Sequence, residues 1–318
     1  MHFHKVRRVA RGRRIVALIL AFFLLYILCV TILESSGTED AYISDELIRD
    51  GQLISARDGY VFLMFFNSGY LDFMKSWMCN ILLVDPKILN QTLFVAANSH
   101  ARLQLQSLGH GLLVHTLAIE NDGADVSYGT YEYFDLTLQR LQVQNRLLQK
   151  GVNVFVIEAD AVWFSPFVVD VDSAILKSQI ISARDRGGEE HLISAGFLFV
   201  PSSRKRFFDM YVRKYASKLS KLSGLEGRID DIDHGEQHLM TKMLAKSRQE
   251  IIWLDECDFA RGEWYTSPSF RMTCAQPRII QNNYIVGNEN KVRRAHTWGH
   301  WFVDERGSCR GKIPPVYP

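Results

Sequence analysis

The sequence predicts an α/β protein, a mainly parallel sheet flanked by helices, behind one N-terminal transmembrane helix. Three observations predict it. Apolar runs of strand length alternate with helical patterns from residue 58 to residue 200, which is the rhythm of βαβ units. One such run, Val152 to Ile157, ends abruptly in two carboxylates, Glu158 and Asp160. Near the start, Ile15 to Leu33 is 19 residues without a charge, long enough to cross a bilayer core as a helix.

The charge around that apolar stretch is asymmetric. Lys5, Arg7, Arg8, Arg11, Arg13 and Arg14 precede it with no acid among them, and Glu34, Glu39 and Asp40 follow. The positive-inside rule therefore puts the N-terminus in the cytosol and the remainder across the membrane. A cleaved signal peptide is the other reading. The stretch is longer than a signal h-region, and no A-x-A-like site follows it. The predicted organisation is a basic tail over 1–14, a signal anchor over 15–33, a short stem over 34–57 and one lumenal domain over 58–318. The 318 residues include 37 basic and 35 acidic side chains. Beyond the tail the balance is 31 basic to 35 acidic, a mildly acidic protein poorly suited to nucleic acid.

The elements follow in order. Ser44 to Arg57 reads as an amphipathic helix capped by Ser44. Tyr60 to Phe66 is a strand closed by Asn67-Ser68-Gly69, and Tyr70 to Val84 a helix. Thr92 to Ala96 is a strand, Ala101 to Leu108 a helix and Gly111 to Leu117 a strand. Tyr131 to Gln149 is the longest helical pattern, with Phe134, Leu138, Leu141 and Leu148 on one face and Gly151 as its stop. The acidic strand follows. Further on, Ile180–Ala183 and Ser194–Val200 read as strands, Arg204–Leu219 and Gln237–Lys246 as helices. From Glu250 the chain is rich in aromatics and turns, and it contains no internal repeat or low-complexity tract.

Four of the five cysteines, Cys79, Cys257, Cys274 and Cys309, lie beyond the apolar stretch. An even number in an oxidising compartment suggests two disulfides with three possible pairings. Cys257–Cys274 is the first choice because both lie in one short turn-rich segment. Asn90-Gln91-Thr92 is an N-glycosylation sequon, which suits a secretory lumen.

Acidic residues at the carboxyl end of a buried strand sit where open α/β sheets bind ligands. Positions one and three of a turn project to the same side, so Glu158 and Asp160 can reach one hard cation, Mn²⁺ or Mg²⁺, and hold it against a diphosphate. Lys291, Arg293 and Arg294 follow a glycine-containing turn and can clamp that diphosphate. His296 is a candidate third metal ligand. His234 and His238, at i and i+4, have zinc-site spacing, but the protease motif needs its Glu beside the first His. No P-loop, dinucleotide fingerprint or nucleophile elbow is present.

Taken together, the ordered motifs resemble the nucleotide-diphospho-sugar transferase family, which includes Golgi arabinosyl- and xylosyltransferases. The family's strand and D-x-D-x-V-W resemble Val154 to Trp163. Its opening V-x-L-x-x-x-N-x-G-Y-L-D-F-x-x-x-W is similar to Val61 to Trp77. The Arg-to-Gly end of its long helix is similar to Arg140 to Gly151, and its N-A-G-F to Ser194-Ala195-Gly196-Phe197. Its D-Q pair resembles Glu236-Gln237, and its H-N-N-x-x-x-G-x-x-x-K-x-x-R resembles Gln281 through Arg294. The departures are Glu158 and Glu236 for Asp, Ser194 for Asn and Gln281 for His.

The resemblance implies a GT-A fold and a retaining glycosyltransferase that moves a sugar from a nucleotide donor to a glycan or glycoprotein acceptor. It implies Mn²⁺ or Mg²⁺ on Asp160 and Glu158, and diphosphate on Lys291 and Arg294. Asn67 and Arg140 belong to the donor-binding set. Asp185, Gln237 and Glu236 form the catalytic set that faces the transferred sugar. The implied setting is the Golgi membrane, single-pass type II. The departures also admit a catalytically inactive nucleotide- or glycan-binding member of the same fold.

Overall fold

The computed structural model describes residues 42–318 except 109–110, 118–125, 167–177, 188–189, 225–226, 228, 230–234, 314–315 and 317–318. The predicted basic tail, the anchor over 15–33 and the first part of the stem, 34–41, lie outside the described residues. Among the described residues no helix is long and apolar enough to cross a membrane.

The folded unit begins at Ile43, not at residue 58. Helix α1 (Asp45–Asp58) has Ser44 as its cap, accepting from the Leu47 amide at 3.2 Å. It buries Leu47, Ile48 and Ile54 and packs on the first strands. The predicted stem therefore stops short of this helix, whose apolar stripe needs a core to cover it.

A seven-stranded sheet organises the rest. Its strands are β1 (Val61–Phe66), β2 (Thr92–Ala96), β3 (Val114–Thr116), β4 (Val154–Val156), β6 (Ile180–Gly187), β7 (Glu190–Val200) and β8 (Ile251–Trp253), in the order β3-β2-β1-β4-β7-β6-β8. Strands β3, β2, β1 and β4 are parallel, as are β6 and β8, while β7 runs antiparallel to both of its neighbours. The mainly parallel expectation is met. Both faces of β1 are buried, as a parallel sheet covered by helices requires.

Tyr60, Phe62, Met64 and Phe66 join Met74, Trp77 and Ile81 of α2 (Leu71–Val84) in one apolar cluster. Trp163 completes it, edge-on to Phe62 at 6.0 Å and to Trp77 at 6.3 Å. Short helices α3 (Lys87–Asn90) and α4 (Ser99–Gln106) flank β2. Asn98 caps α4, accepting from the Ala101 amide at 2.8 Å. Helix α5 (Tyr131–Gln149), capped by Thr130, packs on α1 and on α6 (Lys205–Leu219). Helix α7 (Glu236–Lys246) packs on β7.

Two parts differ from the sequence expectation. Strands β6 and β7 are longer than the predicted Ile180–Ala183 and Ser194–Val200. They form a hairpin with an irregularity between Ser182 and Arg184, and the polar residues at its far end hid the ladder. The segment after residue 250 supplies β9 (Phe259–Ala260) and β10 (Ile279–Gln281), which join β5 (Ala161–Trp163) in a second, three-stranded sheet with β10 central. Helices α8 (Glu263–Thr266), α9 (Pro268–Thr273) and α10 (Asn288–Thr297) complete it. Disulfides join Cys257 to Cys274 and Cys79 to Cys309, so the predicted first pairing is present.

Candidate active site

The carboxyl ends of β1, β2 and β4 meet at one edge of the large sheet. Asn67 follows β1, Asn98 follows β2, and Glu158 and Asp160 follow β4. Each sits there because an apolar strand is fixed by burial and the first polar residues after it emerge at the rim. Strand β10 pairs antiparallel with β5, Gln281 opposite Ala161. That ladder brings the C-terminal motif against the acidic turn, and the Asn282 amide donates to Asp160 O at 3.1 Å.

Asp160 is buried, and Lys291 Nζ donates to its Oδ2 at 2.6 Å. Burial works to lower the Lys291 ammonium. Asp160, Tyr70 and Glu158 overcome it and hold Lys291 above its ordinary range. The other oxygen, Asp160 Oδ1, is buried with no protein partner, as is Asn67 Oδ1. A buried oxygen without a protein partner calls for one, an ion or an ordered water among the candidates.

Glu158 accepts from Gln281 Nε2 at 2.5 Å and lies 3.8 Å from Arg140. Burial first, and Asp160 second, push its carboxyl up to about 7, against Arg140, Lys291 and Gln281. The side chain keeps 34 % of its surface accessible, so solvent in the cleft screens part of that shift. Gly196 of β7 faces it, and a Cβ there would stand 2.3 Å from Glu158 Cδ. The glycine of the Ser194–Phe197 motif thus makes room for the longer acid.

Arg140 projects from α5 between two carboxylates, bonded to Glu236 and facing Glu158. Glu236 and Glu158 raise its guanidinium against the burial that would lower it. Asp185 lies near the end of β6 and is buried. Gln237 Nε2 donates to Asp185 Oδ2 at 2.9 Å, while Gln237 Oε1 accepts from the Ala195 amide at 2.8 Å. Tyr284 donates its hydroxyl to Asp185 Oδ1.

The structure therefore brings together Asn67, Arg140, Glu158, Asp160, Asp185, Glu236, Gln237 and Lys291. Two predicted residues stand differently. Arg294 donates to Asn282 Oδ1 at 2.6 Å and to Asn283 O, and lies 4.7 Å over the Tyr265 ring. It shapes the loop before α10. His296, the candidate third metal ligand, is not brought to the two acids. It is exposed and stacks on Trp301 at 5.4 Å, because the helical turn of α10 that aims Lys291 at Asp160 carries position 296 elsewhere. Among the described residues no three His, Cys, Asp or Glu side chains converge as a metal cluster. His234 of the zinc-spaced pair lies outside the described residues.

Three site residues escaped the sequence reading. Tyr70 places its hydroxyl 3.5 Å from Lys291 Nζ, Gln281 holds Glu158, and Tyr284 holds Asp185. The quoted motifs contain all three, but their partners are set by pairings across the fold. Gly262 is a further hidden constraint: its amide donates to Asn283 Oδ1 at 2.6 Å, and a Cβ there would lie 1.9 Å from Asn283 O.

The strand edge carries paired carboxylates beside the half-buried Lys291, opposite charges gathered at the end of a sheet where α/β folds bind ligands. The nucleotide-diphospho-sugar transferase profile matches residues 87–295; the chain belongs to that family and is a glycosyltransferase that uses nucleotide-sugar donors. A UDP-D-xylose:L-fucose alpha-1,3-D-xylosyltransferase of Arabidopsis thaliana is 23% identical over 279 residues, covering 81% of this chain and 74% of that protein. The relative MGP4 of the same plant is 22% identical, covering 80% and 73%. Among solved structures, mouse xyloside xylosyltransferase 1 overlaps 73% of this chain and 98% of its own, with 13% identity and a TM-score of 0.42. GlyE of Streptococcus pneumoniae overlaps 74% and 60%, with 10% identity and a TM-score of 0.46. The mixed sheet with its parallel β3-β2-β1-β4 half is GT-A-like.

Proposed function

We propose that this cleft transfers a sugar, with retention of configuration, from a nucleotide-diphosphate sugar to a glycan or glycoprotein acceptor. The observation that carries the reading is the pair Glu158 and Asp160 at the β4 edge, beside Lys291, with Asp160 Oδ1 buried and unpaired. The plant relatives' names point to a pentose donor, UDP-xylose, as the first to try.

The donor set fits Mn²⁺ or Mg²⁺. These ions need one or two carboxylates and take the rest of their shell from water and substrate phosphates. Asp160 Oδ1 offers an unpaired oxygen. Burial first, and Asp160 second, raise the Glu158 carboxyl, and a divalent cation would relieve the repulsion between the two acids. When bound, the ion would neutralise the departing diphosphate as a Lewis acid. Lys291 supplies a second positive charge at the same end of the cleft. Arg140 fixes Glu158 and Glu236 relative to each other. Asp185 and Gln237, locked together, face the sugar and orient its hydroxyls.

An inactive, nucleotide-binding reading has one observation in its favour. Gln281, Arg140 and Lys291 already give both acids protein partners, a network complete enough to persist without chemistry. One experiment separates the two. The purified protein is incubated with a panel of nucleotide sugars, with Mn²⁺ or with chelator, and released nucleotide is measured. Turnover that needs metal and falls by about 10³-fold or more in Asp160→Ala supports the enzyme. Turnover indifferent to chelator removes the metal assignment, and tight binding without turnover for every donor supports the inactive reading.

The proposed setting is a Golgi membrane, with the anchor over 15–33 and the folded unit in the lumen. Two disulfides and an exposed Asn90 support an oxidising, glycosylating compartment. Cell-expressed protein should shift in mobility on glycosidase treatment, and Asn90→Gln should abolish the shift. An unshifted wild-type protein would contradict the lumenal placement.

A further inference from the structure

We propose that Tyr284 is a positioning residue for the donor sugar: its hydroxyl fixes the Asp185 carboxylate and so sets which nucleotide sugar the site prefers. The proposal rests on the reading of the cleft as a donor site, and deepens it.

Asp185 is gripped from two directions. Gln237, in the first turn of α7, donates to Oδ2 at 2.9 Å, and Tyr284, on the loop between β10 and α10, donates to Oδ1. The two donors lie 52 and 99 residues away in sequence. Bonds to both oxygens fix the plane of the carboxylate, where a single bond would leave it free to rotate about χ2. Gln237 is itself held by the Ala195 amide, so the orientation is referred back to the backbone of β7.

Tyr284 reaches Asp185 only because its backbone is in an unusual state. Its φ is +59°, a left-handed conformation that a bulky residue seldom adopts and that its surroundings must enforce. The enforcing contacts are on the two residues before it. The Asn282 amide donates to Asp160 O at 3.1 Å, Asn282 Nδ2 donates to Lys291 O at 2.9 Å, and Arg294 Nε donates to Asn282 Oδ1 at 2.6 Å. Asn283 O accepts from Arg294, and its Oδ1 from the Gly262 amide at 2.6 Å. The loop is thus nailed to the diphosphate end of the cleft, and the left-handed residue swings the phenol across to the sugar end.

Core packing does not account for that placement. The Tyr284 side chain is 40% exposed, and Val286 beside it is 60% exposed. A half-exposed ring in a strained backbone, bonded to a buried carboxylate, is organised around the hydrogen bond. Sites that recognise a hydroxyl through a fixed acceptor discriminate far more sharply than apolar pockets do, since a misplaced partner leaves a buried polar group unpaired. Asp185 is such an acceptor, and Tyr284 together with Gln237 decides where it points.

The test uses Tyr284→Phe, which keeps the ring and deletes the hydroxyl. With UDP-xylose, UDP-arabinose, UDP-glucose and UDP-galactose as donors, kcat/KM for the preferred sugar should fall by about 10- to 100-fold, the worth of one such bond. Its lead over the next donor should shrink, while the Kd for UDP alone stays within about twofold. In an Asp185→Asn background the same change should add little, as expected of two residues acting as one unit. Unchanged donor preference overturns the proposal. So does a parallel loss of UDP affinity, which would mark a merely structural loop tie. If the wild-type protein turns over no donor, the enzymatic reading fails by itself. The role of Tyr284 is then decided by calorimetry: the affinity advantage or penalty of intact UDP-sugar over UDP should change in Tyr284→Phe, and its constancy would overturn the proposal.

Discussion

The site is assembled from two regions built on different principles. The β1–β2–β4 edge is positioned by burial. Its strands are apolar on both faces, Trp77 and Trp163 lock α2 and β5 over them, and the polar residues emerge at fixed points. The segment from Phe259 to Trp301 has strands of two or three residues; it lends Phe259, Ile279, Ala295 and Trp301 to the main core and adds a small apolar cluster of Ala260, Trp264, Tyr265, Cys274 and Ile280. It is positioned by particular ties: a disulfide, Arg271 over Trp298 at 4.8 Å, Arg294 over Tyr265, and a hydrogen bond of 2.9 Å between Tyr265 and His300. The difference teaches where precision comes from. A buried strand places its end to within the tolerance of core packing, whereas a polar arm is only as accurate as its least replaceable contact.

The contrast can be broken first at the acids. Gly196→Ala puts a Cβ where the Glu158 carboxylate lies. That carboxylate is the far end of a flexible side chain, so it moves and the strand stays. Donor turnover should drop by roughly 100-fold or more, the order of a lost electrostatic group in a catalytic site. The melting temperature should barely change. A large fall in stability would show that burial, not the carboxylate, sets this position.

Gly262→Ala probes the arm. Its Cβ would meet backbone, Asn283 O, which cannot step aside. The expected cost is about 3 kcal/mol of stability, as for other strained or overpacked sites, read by denaturant unfolding, with turnover lost alongside it. A variant as stable as the parent would mean the arm is looser than its contacts imply.

The disulfide Cys257–Cys274 closes a loop with a sequence separation of 17. The chain-entropy estimate for a loop of that size is about 3 kcal/mol. Replacing both cysteines by serine should lower stability by up to that amount. It should also cost more donor affinity than the Cys79–Cys309 double serine variant does, because its loop contains Gly262, which is tied to Asn283. Equal loss of affinity from the two variants would remove the distinction between arm and edge.

The mildest test is acid. Burial lowers the His300 imidazole to about 4, against a bond to Val316 O. With the folded pKa below the unfolded one, the unfolded chain binds the extra proton, so stability is complete above about pH 6.5 and falls as pH drops toward 4. The full effect is on the order of 3 kcal/mol. His115, in β3, is also lowered by burial, against Asp50 and Glu46, and acts in the same direction. His300→Gln should flatten the loss of melting temperature between pH 6.5 and 4.5. If His115→Gln flattens it and His300→Gln does not, the acid-sensitive part is the edge rather than the arm.

Much of the large sheet was legible in the residues. Tyr60–Phe66, Thr92–Ala96 and Val152–Ile157 are apolar runs bounded by polar stops, and Tyr131–Gln149 repeats at helical spacing with Thr130 before it. Residues 184–193 were not legible, since a hairpin whose outer half is polar has no period to read. The helix Asp45–Asp58 was read correctly, but its place in the folded unit was not, because amphipathicity does not say what covers the apolar face.

The sequence by itself determined the family, the two acids at the end of a buried strand, and the basic helix that answers them. Local apolar pattern and motif order are written in consecutive residues, so they survive without a fold. Tertiary structure alone decided that His296 turns away, that Gly196 shelters Glu158, and that Tyr284 reaches Asp185. Each of those depends on a pairing between segments far apart in the chain, such as β10 with β5 or the 282–284 loop with Arg294. Contacts of that kind are fixed by packing and hydrogen-bond geometry in three dimensions, and no spacing along the chain encodes them.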